Sequence, residues 1–290
     1  MLLRNQSGNP PVIALDLDGT VLQDDKSVSA FTVETLQILS RNGLPVFFVT
    51  GRDRRIAQNV IPFVDFPSWI ILNNGVSAKC LPGWEKVYTH HIPASLRNVV
   101  LKSLAEIERY PLFIVEQSGS PVDRVLDARL LDDTVYREYA ERHGDCIVIE
   151  PDIAASSLLD RALAMCLCEP NECVEEVRSH LTGVLGESIE HRSLDNLNFL
   201  PTHTVIEIIE PGWTKSDGIH KLKKILGIED RIVYAFGDDH NDIDMLVHAD
   251  RSFAVETAID AARNAADEII PSNNDDGVAR ILRMLFEELF

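Results

Sequence analysis

The sequence predicts an α/β fold in which a parallel-sheet core domain is interrupted by a separate α+β domain. Three observations predict it. Short apolar runs ending in polar clusters stand near both ends of the chain, the grammar of strands buried on both faces. Helical spacing of apolar residues separates these runs. Every group of residues suited to chemistry falls outside a long middle stretch, and 290 residues are too many for one ordinary core.

VIALDL (Val12–Leu17) reads as the first buried strand, followed by a helix that Ser27 can cap. That helix carries Val33, Leu36 and Leu39 inward and stops near Gly43. PVFFVT (Pro45–Thr50) and WIIL (Trp69–Leu72) are the next strands. Toward the C-terminus, VIEII (Val205–Ile209) and IVYAF (Ile232–Phe236) resume the pattern, separated by a helix with Ile219, Leu222 and Ile225 inward and Gly227 at its end. A last helix places Val278, Ile281, Leu282, Leu285 and Leu289 on one stripe. The expected division is a core domain over 1–80 and 201–290, with an α+β domain inserted over 81–200. In that insert Leu96, Val100, Leu104 and Ile107 have helical spacing, and LFIVE (Leu112–Glu116), CIVIE (Cys146–Glu150) and RALAMCLC (Arg161–Cys168) read as strands.

Composition narrows the function. A 45% apolar and 25% charged chain belongs with soluble globular proteins. Its net charge of −19 disfavours nucleic acid and anionic membranes as partners. No run approaches the ~18 apolar residues of a membrane span, and Met1–Pro11 is too short and polar for a signal peptide. The five cysteines lack the pair spacing of zinc sites, and Cys166 and Cys168 sit in an apolar strand. Reducing cytoplasm is the expected compartment. An anionic substrate would need local positive charge against this global field, and a bound cation would supply it.

Four motifs carry the chemistry. Asp16-Leu17-Asp18-Gly19-Thr20 follows the first strand, where ligands of open parallel sheets bind. Carboxylates at alternate positions can divide the work, one attacking phosphorus and the other moving a proton, although an Asx turn would explain them too. Thr50-Gly51-Arg52 ends the second strand with a hydroxyl and a backbone N–H, suited to a phosphate oxygen or to a helix cap. Lys215 stands just before a helix starting near Asp217, placed to neutralise a carboxylate and a phosphoryl oxygen, or else solvated like most lysines. Gly237-Asp238-Asp239-His240-Asn241-Asp242 follows IVYAF and suits a hard cation, or is an acidic helix start. A calcium loop fails here, because position six from Asp238 is Ile243 rather than Gly. Jointly the four converge on one site. Two carboxylates ~4 Å apart repel by about 4 kcal/mol at an effective dielectric near 20, which calls for a metal. Magnesium suits a few carboxylates with substrate oxygen and water.

These pieces, in this order, resemble the haloacid dehalogenase superfamily, specifically its Cof-like sugar-phosphatase branch with a large cap inserted between the second and third motifs. The likeness covers about residues 12–80 and 200–290 and includes Asn73-Asn74-Gly75, the PGWTK turn and Asn274–Ala279. It implies a Rossmann-like core and an α+β cap. It further implies Asp16 as nucleophile, Asp18 as general acid/base and Mg2+ as cofactor, held by the carboxylates of Asp16 and Asp238 and the backbone carbonyl of Asp18. Leu17, Thr50, Gly51, Lys215 and Asn241 match phosphate-holding positions, and Asp242 matches a carboxylate that orients the lysine or metal water. Asp18 points to phosphoryl transfer, since the dehalogenases that attack carbon need no acid there. The expected activity is hydrolysis of a phosphate monoester of a small metabolite, with a monomer or weak homo-oligomer as the working form. A hexose phosphomutase and a non-catalytic binding regulator are the alternatives. Arg124, Arg129 and His191 are unranked candidates for reading the leaving group, and His90-His91 reads as surface or hinge rather than metal-binding.

Overall fold

The computed structural model describes residues 8–116, 119–185, 191–194 and 201–290, with only the backbone described at 184–185 and at 191–194, His191 among them. The chain divides into two compact units, Met1–Thr89 with Trp213–Phe290, and His90–Gly212.

The first unit is built on an eight-stranded sheet ordered β14-β13-β12-β1-β2-β3-β4-β5. Its strands are β1 (Val12–Leu15), β2 (Val46–Val49), β3 (Ser68–Leu72), β4 (Ser77–Leu81), β5 (Glu85–Thr89), β12 (Val233–Gly237), β13 (Arg251–Val255) and β14 (Glu268–Ile270). β1 lies between β2 and β12, parallel to both, with Ile13 opposite Val46 and Tyr234. All four β1 residues are fully buried, which is why this strand reads as an unbroken apolar run. From β1 the order proceeds one way through β2 and β3, and the other way through β12, β13 and β14. The carboxyl end of β1 is therefore a topological switch point, where parallel sheets open a crevice for ligands. Helices α1 (Ala30–Arg41), α2 (Arg54–Val60), α6 (Lys215–Leu226), α7 (Ile243–His248), α8 (Asp260–Ala265) and α9 (Gly277–Leu285) belong to this unit. Ser29, not Ser27, caps α1, its side chain accepting from the Thr32 N–H. On α6 the buried stripe is Ile219 and Leu222 with Leu226 packed beside them, while Ile225 is exposed. The positions 219, 222 and 226 keep the i, i+3, i+7 spacing of one face, and 225 falls off it.

The second unit holds a six-stranded sheet ordered β10-β11-β9-β6-β7-β8. Its strands are β6 (Leu112–Val115), β7 (Arg124–Asp127), β8 (Ile147–Glu150), β9 (Ala162–Pro170), β10 (His191–Leu194) and β11 (His203–Ile208), accompanied by α3 (Ala94–Glu106), α4 (Thr134–His143) and α5 (Val174–Leu185). It is antiparallel except where β7 meets β8. Val100, Leu104, Phe113, Met165, Leu167, Ile206 and Ile208 are among the residues of its own core.

Two further sequence expectations shift. Val205–Ile209 was expected in the core sheet, yet β11 pairs antiparallel with β9, Val205 opposite Cys168. Its alternation puts Ile206 and Ile208 into the second core, and apolar content alone does not say which sheet a strand joins. The breaks fall at 89/90 and 212/213 rather than 80/81 and 200/201. β4 and β5 extend the core sheet as an antiparallel hairpin on β3, so residues beyond 80 stay with the first unit.

Candidate active site

The loops that follow β1, β2 and β12 meet the first turn of α6 at the switch point. Asp16, directly after β1, is 4% exposed, and its N–H donates to the Phe236 carbonyl at 3.0 Å. The next turn is held by the buried Leu17, whose carbonyl accepts from Val21 and Leu22 at 3.1 and 2.8 Å. Gly19 has φ +75°, and a β-carbon there would lie 2.2 Å from Asp238 Oδ2. Only glycine lets the loop turn this close to the neighbouring carboxylate. Thr20 then donates from Oγ1 to Asp238 Oδ1 at 2.9 Å and fixes that carboxylate.

Lys215 is fully buried and bridges two carboxylates, Asp16 Oδ1 and Asp242 Oδ1, each at 2.6 Å. It is the first residue of α6, two positions earlier than the sequence placed the helix start. Thr214 caps the helix and forms a capping box with Asp217. The cap is anchored by close backbone approach, since a β-carbon on Gly75 would lie 2.1 Å from the Thr214 carbonyl oxygen. Tyr88 Oη donates to the Gly75 carbonyl at 2.7 Å and lies 3.3 Å from the Gly218 carbonyl. Asp242 completes the arrangement, its Oδ2 accepting the N–H groups of Asp238 and Asp239 at 3.0 and 3.1 Å.

Three carboxylates against one ammonium leave the cluster short of positive charge. Burial, then the charge of Asp242, push the Asp16 carboxyl well above its ordinary range. The same two causes push Asp238 up to about 7. Burial alone would lower the Lys215 ammonium, but Asp16 and Asp242 more than offset it and hold it above its usual range. One ligand oxygen from each of Asp16, Asp238 and Asp242 lies within 4.8 Å of the others. Asp16 Oδ2 is buried and has no hydrogen-bond partner. A partnerless carboxylate oxygen in an all-oxygen, charge-deficient cluster fits a hard divalent cation. Asp242, already accepting from Lys215 and two backbone amides, is the least available of the three.

Across the crevice, Thr50 is buried, with its N–H on the Ile71 carbonyl at 2.9 Å and its Oγ1 accepting from the Arg52 N–H at 3.1 Å. Beside it are Gly51 and Asn241, the latter donating from Nδ2 to Asn74 Oδ1 at 3.0 Å. Thus Asp16, Lys215, Asp238 and Asp242 share one cluster, Leu17 is buried in the turn that follows Asp16, and Thr50, Gly51 and Asn241 form a second group beside Asn74.

Asp18 stands apart from the buried cluster. Arg52 grips it with two bonds, Nε to Oδ2 at 2.6 Å and Nη2 to Oδ1 at 2.7 Å, and Lys26 adds a third at 2.8 Å. Burial acts to raise the Asp18 carboxyl, but these donors prevail and hold it below the usual carboxylate range. Sequence reasoning missed Arg52, Lys26, Thr20 and Asn74 as partners of the site. Arg52, Thr20 and Asn74 were within quoted motifs, so their neighbours were the available signal. Lys26 had none. His90, by contrast, pairs with Glu210 within the second unit.

A profile of the haloacid dehalogenase-like hydrolases matches residues 13–282. The chain is 33% identical to the 5-amino-6-(5-phospho-D-ribitylamino)uracil phosphatase YitU of Bacillus subtilis, across 96% of this chain and 98% of that one. It is 26% identical to the HMP-PP phosphatase of Escherichia coli K12, across 86% and 85%. Its fold matches the crystal structure of TM0651 from Thermotoga maritima with a TM-score of 0.74, covering 94% and 97% at 23% identity. With a family match over nearly the whole chain and named phosphatases among its relatives, this protein belongs to the haloacid dehalogenase-like hydrolases and is an enzyme of their phosphatase type.

Proposed function

We propose that this chain hydrolyses the phosphate monoester of a compact metabolite, a sugar phosphate or phosphorylated polyol, through an aspartyl-phosphate on Asp16. The observation that carries the reading is Lys215 Nζ at 2.6 Å from both Asp16 Oδ1 and Asp242 Oδ1, while the buried Asp16 Oδ2 has no partner. A carboxylate so held is oriented by the lysine for attack, and its unpartnered oxygen is left to the metal.

In the first half-reaction an Asp16 carboxylate oxygen bonds to phosphorus as the ester P–O bond breaks, and the leaving oxygen takes the Asp18 proton. In the second, Asp18 takes a proton from water, the water oxygen bonds to phosphorus, and the Asp16–phosphorus bond breaks to release inorganic phosphate. Lys215 neutralises Asp16 before attack and faces the charge that gathers on phosphoryl oxygens. Thr50, the Gly51 N–H and Asn241 are assigned to those oxygens, with Leu17 contributing backbone. Held by Arg52 and Lys26, Asp18 is ionised and ready as base; acid duty requires it to leave that clamp. Mg2+, assigned to Asp16, Asp238 and the Asp18 carbonyl, would act as a Lewis acid on phosphoryl oxygen and relieve the carboxylate repulsion. The relative named for a phosphoribitylamino-uracil supports a phosphorylated polyol as substrate. The free cysteines suit reducing cytoplasm, and among the described residues no helix is long and apolar enough to cross a membrane.

The test is phosphate release with Mg2+ over a panel of hexose, pentose and polyol phosphates, 5-amino-6-(5-phospho-D-ribitylamino)uracil among them. Asp16→Asn is run alongside and should lose at least about 10⁴-fold in kcat, as removal of a covalent nucleophile does. Turnover persisting in that variant would sink the covalent route. Isomerised hexose phosphate without free phosphate would replace hydrolysis by a mutase.

A further inference from the structure

The turn after β3 holds three successive residues in left-handed backbone, Asn73 at φ 50°, Asn74 at φ 54° and Gly75 at φ 114°. A residue with a β-carbon adopts this conformation at a cost, and such strain persists where the surroundings enforce it, often beside functional groups. Asn74 is fully buried there. Its N–H donates to the Thr50 carbonyl at 3.0 Å, and its Oδ1 accepts from Asn241 Nδ2 at 3.0 Å. A β-carbon on Gly51 would lie 3.1 Å from Asn74 Oδ1, 3.2 Å from Asn74 Nδ2 and 3.4 Å from Asn241 Nδ2, so the two amides lie against the Gly51 Cα. One side chain from the β3 turn therefore touches residues at the ends of both β2 and β12.

We propose that Asn74 is a positioning residue that sets the Asn241 amide and the Gly51 N–H for the oxygens of the transferring phosphoryl group. The inference rests on the phosphatase reading above. An amide rotated by 180° would present oxygen in place of nitrogen to a phosphate, and it would repel rather than bind. Asn74 Oδ1 accepts only, so it selects the orientation of Asn241 in which Nδ2 faces Asn74 and Gly51. That nitrogen carries two hydrogens, one given to Asn74 and the second left for a phosphoryl oxygen. Backbone strain at Asn74 is the cost of placing this acceptor against Gly51.

The test compares wild type, Asn74→Gly, Asn241→Ala and the double variant in Mg2+-dependent hydrolysis of p-nitrophenyl phosphate, with inorganic phosphate as inhibitor. Glycine adopts φ +54° freely, so Asn74→Gly removes the amide and keeps the turn. Its thermal midpoint should stay level or rise, while kcat falls about 10–100-fold, the scale of a small misplacement at a reacting centre. The inhibition constant for inorganic phosphate should rise in both single variants. The double variant should be no worse than the poorer single one within about threefold, because the two residues act as one unit. Wild-type rates in Asn74→Gly would overturn the proposal, as would losses that multiply in the double variant. Wild-type protein without phosphate release would overturn the phosphatase reading and this inference with it. An effect of Asn241→Ala without one of Asn74→Gly would overturn the inference alone.

Discussion

The two units use charge in opposite ways. In the inserted unit each cation of the pairs Arg97–Asp160, Arg109–Glu169 and Arg129–Asp127 meets one carboxylate, and each pair has at least one member more than a third exposed or close to it. Such pairs balance, and they staple a sheet or a turn. In the parallel-sheet unit Asp16, Asp238 and Asp242 face a single Lys215, and the Lys215 and Asp242 side chains have no exposure. That cluster does not balance, and burial together with the Asp242 charge pushes the Asp16 and Asp238 carboxyls above their ordinary range. A fold retains such an excess of negative charge where a bound cation completes it, so imbalance marks the chemical site better than the number of charges does.

Breaking the buried cluster gives the largest effect. Lys215→Met strips Asp16 and Asp242 of their shared counter-charge and leaves two buried carboxylates facing each other. Removing one partner of a buried pair costs about 3–5 kcal/mol. At roughly 2–4 °C per kcal/mol for a chain of this size, the thermal midpoint should fall on the order of 10 °C. Turnover should fall by at least about 10²–10³-fold, the scale of one lost electrostatic stabiliser. A midpoint within 2 °C of wild type, followed by calorimetry, would mean that the lysine does not hold the cluster together; this margin is roughly 1 kcal/mol on the same scale.

How much of this was visible in the sequence follows the same division. β1, β2 and β12 were legible because strands covered on both faces are continuous apolar runs, and their polar ends announced Asp16, Thr50 and Asp238. β4, β5, β7, β13 and β14 were not singled out. SAKCL and EKVYT carry lysines within the strand, and β14 is only three residues long. Which sheet β11 joins was illegible for a different reason, since pairing with β9 depends on contacts distant in sequence. Within the site, residue types were legible and partners were not. Nothing in spacing says that Arg52 and Lys26 reach the same carboxylate, or that Asn74 reaches Asn241 across 167 positions.

A subtler break leaves every charged group in place. Gly19→Ala puts a methyl 2.2 Å from the Asp238 Oδ2 position and forces a residue with a β-carbon to φ +75°. The loop must shift or Asp238 must rotate away from Thr20. If Asp238 holds the metal, Mg2+ affinity should fall about 10–100-fold, the usual scale for disturbing the groups that orient a ligand. Calorimetric titration of metal-free protein with Mg2+ measures it. Unchanged affinity would remove Asp238 from the ligand set.

The smallest effect should come from the balanced side of the comparison. Asp127 is fully buried and accepts from Arg129 Nε at 2.8 Å, Nη2 at 2.7 Å and the Arg129 N–H at 2.9 Å, and it caps the turn after β7. Asp127→Asn keeps the shape and loses the charge, at about 1.5–3 kcal/mol for a hydrogen bond to a charged group. Burial works to raise the Asp127 carboxyl, but the Arg129 donors outweigh it and hold it below the ordinary range. A carboxyl held low in the folded state stabilises the fold fully above its unfolded value of about 3.9 and loses that stabilisation as pH falls through the folded value. The midpoint gap between wild type and Asp127→Asn should therefore be widest at neutral pH and close in acid. Because Asp127 faces no unbalanced cluster, kcat should stay within about twofold at temperatures where both proteins are folded. A large loss of kcat at unchanged stability would show that the inserted unit's balanced pairs serve chemistry as well, and the contrast between the units would fail.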